Sequence, residues 1–168
     1  MSRRLAIVMA LLAGALAPGC TGEIELAGGE PDPGAGGQGD ADGSGEPEQM
    51  VVIDGPTVLP HVQLYANAAC GAIGACQVST YDGHHPSAAR AIDTLVSDVY
   101  GSVPTDDNQL GDALAEFALA HQAEYGIWYV IFRQRYNDGS GWDPMEDRGS
   151  ITQNHYDHVH VSFDETAP

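Results

Sequence analysis

His155-Tyr156-Asp157-His158-Val159-His160-Val161-Ser162-Phe163, close to the C-terminus of this 168-residue chain, alternates apolar and polar side chains as a strand packed on one face does. Val159, Val161 and Phe163 point one way, and His158, His160 and Ser162 the other. Two imidazoles on one strand face, two residues apart, converge on one small object. Upstream, His84-His85-Pro86-Ser87-Ala88-Ala89-Arg90-Ala91-Ile92-Asp93 supplies a complement: a histidine, and an aspartate on an otherwise apolar strand. Together the two stretches offer the nitrogen and oxygen donors of a tetrahedral zinc site with one position left open. An isolated His-x-His is most often a chance pair. Here five of the seven histidines fall into these two clusters, which favours a metal.

The assignment is His85, Asp93 and His160 as ligands, with Zn2+ as the cofactor. Pro86 restricts the backbone of His85 to extended values and so steadies a ligand residue. Asp93 needs a partner to offset its desolvation; a metal serves, and so would Arg90 or a backbone nest. His158, on the same face as His160, is placed to manage a proton beside the metal. Asp157 points to the opposite face and is cast as the support that orients an imidazole. His155 can line the cleft. Arg133, Arg135 and Arg148 are available clamps for a carboxylate or developing anion, or else surface arginines balancing an acidic chain.

The intervening chain reads as a small α+β domain. Val58 to Ala69 has an imperfect helical stripe of Leu59, Val62, Leu64 and Tyr65. Cys76 to Tyr81 and Ala91 to Val96 read as strands. Asp107 or Asn108 caps a helix from Gln109 to Tyr125, with Leu110, Leu114, Phe117 and His121 at helical spacing, and Gly126 stops it. His121 is therefore a core or boundary residue. Ile127-Trp128-Tyr129-Val130-Ile131-Phe132 is apolar on both faces, a central strand, and continues into Arg133-Gln134-Arg135-Tyr136. Trp142 to Asn154 is a long loop. The expected architecture is a short, mostly antiparallel sheet with helices packed on one side and the metal cleft on the open face.

Outside the domain, composition decides. Residues 1–19 carry Arg3 and Arg4, an apolar run from Leu5 to Leu16, and Ala17-Pro18-Gly19 before Cys20: an export signal too short to span a membrane. Gly19-Cys20 resembles a bacterial lipoprotein cleavage site, which implies a lipid on Cys20 and a tether to the cell envelope, at the outer membrane because Thr21 follows. Residues 20–55, rich in Gly, Glu, Asp and Pro, bury too little apolar surface to order themselves and form an acidic spacer. The domain occupies 56–168, enough for one modest core, and is expected to act as a monomer. With no lysine and a net charge of -18, nucleic acid is excluded as a partner. Cys70 and Cys76 enclose five residues; export permits a disulfide, and the spacing is not that of a zinc thiolate pair.

The pair HHPSAARAID (84–93) and HYDHVHVSF (155–163), with the strand YVIFRQR (129–135) between them, resembles the zinc-peptidase superfamily of lysostaphin, the D-alanyl-D-alanine carboxypeptidases and the hedgehog signalling domain. The likeness is closest to exported bacterial and fungal domains with an RAID-type first motif and a terminal HYDHVHVS strand. The resemblance implies a zinc-dependent peptidoglycan peptidase, carboxypeptidase or endopeptidase, acting on a peptidoglycan peptide or another peptide. His85, Asp93 and His160 would be its ligands and His158 its catalytic partner, with Asp157, Arg133 and Arg148 in support. His85 and Asp93 stand eight residues apart where the carboxypeptidases have seven, which keeps His84 as an alternative in register. The alternative function is a non-catalytic, zinc-stabilised cell-wall or protein-binding module; a third is a structural domain with satisfied histidines.

Overall fold

The computed structural model describes residues 50–166. The expected signal, Cys20 and the greater part of the acidic spacer lie outside the described residues, and no helix among those described is long and apolar enough to cross a membrane. Among the described residues seven strands form one sheet: β1 (Ile53–Asp54), β2 (Val78–Ser79), β3 (Ala91–Leu95), β4 (Ile127–Phe132), β5 (Arg135–Asn137), β6 (Asp143–Pro144) and β7 (His158–Phe163). Their order is β1-β2-β3-β7-β4-β5-β6, antiparallel throughout except for the β1/β2 pair. Three helices among the described residues pack against it: α1 (Pro60–Ile73), α2 (Gln109–Ala120) and α3 (Gln122–Tyr125). The chain is α+β, and its sheet is mixed but mostly antiparallel.

The strand that carries His158 and His160, β7, sits in the middle. β7 pairs with β3 on one side and β4 on the other, placing His160 opposite Asp93 and Ile131. Its alternation sorts the two faces. Val159, Val161 and Phe163 are fully buried with Ile92, Val130 and Phe132, against Val62 and Tyr65 of α1 and Leu114 of α2. His158, His160 and Ser162 occupy the other face with Asp93. Every residue of β7 is buried, so the polar row on that second face is covered by loops.

The helices end where the backbone demands it. Pro60 opens α1, where its missing N–H costs nothing. Gly74, left-handed at φ 82°, closes it by donating its N–H to the Cys70 carbonyl at 2.8 Å. Cys70, in the last turn of α1, forms a disulfide with Cys76 just beyond the helix. The single helix expected over 109–125 is two, broken at His121. Both the His121 N–H (3.1 Å) and its ring Nδ1 (2.9 Å) bond the Phe117 carbonyl while the ring stacks on Phe117 at 4.1 Å.

Three further features differ from expectation. β4 does not run on into Arg133–Tyr136: Arg133 and Gln134 both take positive φ (52° and 56°) and make a two-residue hairpin turn into β5. The conformation is held from outside, since Arg133 N–H donates to the His155 carbonyl at 2.8 Å and Gln134 N–H to that of Asn154 at 2.7 Å. The long loop after Trp142 contains the short strand β6. The sheet itself begins at Ile53, ahead of residue 56, because β1 finds a parallel partner in β2.

Candidate metal centre

Asp93 is the hub. The ligand atoms of His84, Asp93 and His160 lie within 4.8 Å of one another, and the three residues are 5, 8 and 5% exposed. Asp93 Oδ1 lies 2.9 Å from His160 Nδ1 and 3.1 Å from His84 Nε2. Strand pairing places Asp93 and His160 side by side. His84 arrives from the β2–β3 connection after the Asp82-Gly83 turn, which is closed by His84 N–H donating to the Tyr81 carbonyl at 2.9 Å. The Tyr81 ring covers it at 4.3 Å.

Each imidazole is braced on its far nitrogen by a hydroxyl. Thr80 Oγ1 is 2.9 Å from His84 Nδ1 and donates its own proton to the Ala88 carbonyl at 2.9 Å. Ser162 Oγ is 2.9 Å from His160 Nε2 and donates to the His85 carbonyl at 3.0 Å. His84 Nε2 is buried and, although 3.1 Å from Asp93 Oδ1, lies outside hydrogen-bonding geometry with it, leaving it without another partner among the described residues. Burial works to raise the Asp93 pKa, but the His160 and His84 contacts outweigh it and hold the carboxyl far below the usual carboxylate range. Burial also lowers the His160 pKa, against the pull of Asp93, so this ring favours its neutral form.

Two expected participants take other places. His84, not His85, completes the cluster. The His85 ring turns to the Tyr129 hydroxyl at 3.0 Å and lies beside Trp128, so His85 reaches the cluster only through its carbonyl. Arg133 faces away: its guanidinium pairs with Asp112 of α2 at 3.0 Å, and the hairpin turn in its backbone fixes that direction. Arg135 points to the same carboxylate at 3.9 Å and lies over the Trp142 ring.

His158 and Asp157 do adjoin the cluster. Asp157, fully buried, accepts from His158 Nδ1 at 2.6 Å through one oxygen, and from Gly101 N–H at 2.6 Å and the Thr152 hydroxyl through the other. Burial opposes its charge, yet these bonds keep its pKa below the ordinary value. His158 Nε2 is thereby aimed at Asp93 Oδ1, 3.6 Å away. His155 is buried at left-handed φ 55°, its ring 4.8 Å from that of His158, and burial pushes its pKa down to about 3.

A cavity of about 670 Å³ borders the cluster, lined in part by Tyr81, Tyr100, Tyr129, Arg148 and His155. Ser162, two residues beyond His160 on the same strand face, was readable as its companion. Thr80, Tyr100 and Thr152 come from loops whose approach no local pattern announces.

Residues 56–156 match a family described as VldE, C-terminal domain. That match overturns the resemblance to the lysostaphin, carboxypeptidase and hedgehog superfamily. With it go the zinc-dependent peptidoglycan peptidase, its hydrolase and metallopeptidase activity, and the alternative of a cell-wall or protein-binding module. The physical reason is that short histidine and aspartate motifs report local donor geometry, whereas family membership is carried by the chain between them. Over 59 residues the chain is also 39% identical to an "Uncharacterized secreted protein" of Arthroderma benhamiae, covering 30% of this chain and 24% of that protein, so the chain spans about a quarter of that relative's length. No solved structure matches it. Matched over more than half of its residues, the chain belongs to the VldE C-terminal domain family.

Proposed function

We propose that this domain binds one divalent cation, zinc by its donor set, through His84, Asp93 and His160 at the floor of a cleft on the sheet face away from the helices. The observation that carries this reading is the direction of the imidazole lone pairs. Thr80 and Ser162 each spend their proton on a backbone carbonyl, so each hydroxyl accepts from the imidazole beside it. With their N–H groups committed outward to these hydroxyls, His84 Nε2 and His160 Nδ1 face the Asp93 carboxylate as lone pairs, a contact that lowers the Asp93 pKa only when a proton or a cation lies between. Three electron-rich atoms then converge in a buried space, and something positive must sit among them. Protons on the rings would serve, but burial lowers the proton affinity of His160. A cation serves without that cost.

Two imidazoles and one carboxylate suit zinc better than calcium or magnesium, which favour oxygen alone. Zinc held by such ligands retains net positive charge and draws electron-rich ligand atoms to its remaining position. The chain's own residues do the rest: Thr80 and Ser162 fix tautomers, and Asp157 holds His158 against the cluster. Export, expected from residues 1–19, is in keeping with a relative described as secreted.

Equilibrium dialysis of the full chain against zinc, read by elemental analysis, tests the reading. One zinc per chain is expected in wild type and in His85→Ala, and none is retained by His84→Ala or His160→Ala. A wild-type protein that retains no zinc, or a His85→Ala protein as deficient as His84→Ala, rejects it.

A further inference from the structure

Arg148 differs from the other described arginines. Arg133 and Arg135 face Asp112, and Arg90 donates from Nε to the Phe163 carbonyl at 3.0 Å. Among the described residues, the Arg148 guanidinium has no carboxylate or carbonyl partner, in a chain with 24 acidic residues against 6 basic. Its loop is nonetheless built. Arg148 N–H donates to Asn154 Oδ1 at 2.8 Å, and Asp147 Oδ1 accepts from Asn154 Nδ2 at 2.7 Å and from Gly149 N–H at 2.8 Å. The side chain lines the same cavity as His84, Asp93 and His160, and its charge is felt by Tyr129 and His155 on the wall.

His155 is the second anomaly. It is a buried non-glycine residue in the left-handed region, and such backbone conformations collect where a ligand is handled. Its Nδ1 is buried with no partner among the described residues, and its ring stands 5.7 Å from that of His160. The cavity thus holds an uncommitted cation at its rim and an uncommitted imidazole in its wall.

We propose that the cavity takes a small oxyanionic ligand, one ending in a carboxylate or phosphate group, held between the ion at His84, Asp93 and His160 and the Arg148 guanidinium, with His155 against it. This rests on the metal reading above. Charge supports it. A divalent ion with one carboxylate and two neutral imidazoles leaves one positive charge, and Arg148 adds another at the rim, while Asp157 is spent on His158, Gly101 and Thr152. A guanidinium recognises carboxylate and phosphate alike through paired N–H donors, and the cavity volume of about 670 Å³ suits a small molecule.

The test uses full-length protein loaded with Co2+, whose visible absorption reports changes at the ion. Titration with succinate, and separately with inorganic phosphate, should give a saturable spectral change with at least one of them. Arg148→Gln should bind cobalt as wild type does but weaken that anion roughly 10- to 100-fold, as expected for a charge-assisted hydrogen bond. Response to succinate alone identifies a carboxylate ligand, and response to phosphate alone a phosphate. A cobalt-loaded protein that responds to neither anion, or an Arg148→Gln protein that binds them as wild type does, overturns the proposal. A wild-type protein that takes up no cobalt overturns the metal reading, and this one with it.

Discussion

Thr80 and Ser162 do the same work on opposite sides of Asp93, and neither touches the proposed ion. Each accepts an imidazole N–H because its own proton goes to a carbonyl, of Ala88 in one case and of His85 in the other. Thr80→Val keeps the shape and removes the acceptor, and Ser162→Ala removes it with less volume. Partners of this kind commonly set metal affinity by about 10- to 100-fold, so each variant should bind zinc that much more weakly while folding normally. Competition with a chromophoric chelator measures this, and unchanged affinity in both variants would show that the hydroxyls do not set the tautomers. At this scale the sequence was readable for Asp93 and His160, because both lie on strands whose alternation displays a face. It was less so for the choice between His84 and His85. These neighbours differ only in which ring the Asp82-Gly83 turn swings inward, and that depends on Thr80 and Tyr81 meeting one and Tyr129 meeting the other.

At the scale of elements, α2 packs on β4 more closely than a side chain allows. A Cβ on Gly111 would stand 2.1 Å from the Phe132 ring, which is fully buried. Alanine is the better helix former by about 1 kcal/mol, but forcing an atom into a filled core costs about 1–3 kcal/mol. Because the ring is fully buried in the core, sterics should win. Gly111→Ala is expected to lower stability by up to about 2 kcal/mol in urea unfolding, and a more stable variant would mean that helix propensity decides. The strands β3 and β7 were legible because each carries its periodicity within itself, and β4 because six consecutive apolar, largely β-branched and aromatic residues read as a buried strand. The Arg133-Gln134 turn was not: it lacks the glycine or asparagine such turns favour, and carbonyls of residues 154 and 155, some twenty positions on, hold it. β1 was hidden for a related reason. Two residues have no period, and they form a strand only because β2 offers an edge.

For the whole molecule, the same distant meeting of segments that hid parts of the fold makes the candidate centre a clamp. His84 belongs to the β2–β3 connection, Asp93 to β3 and His160 to β7, so an ion would tie a loop to the middle of the sheet. Three short motifs pointed to this cluster, while the match over residues 56–156 places the chain in another family than those motifs implied; donor geometry and ancestry are separate messages. Geometry has a thermodynamic consequence of its own. The unfolded chain scatters the three donors, so an ion that binds them together stabilises the folded state by mass action, about 2.7 kcal/mol when free zinc is 100 times its dissociation constant. For a domain of this size that corresponds to roughly 10 °C in melting temperature. Zinc should therefore raise the melting temperature of metal-stripped protein in a concentration-dependent way, and a chelator should reverse the gain. His160→Ala, which removes a donor without touching the helix-packed face, should melt at one temperature with or without zinc. If that variant gains as much as wild type, the stabilising ion binds elsewhere.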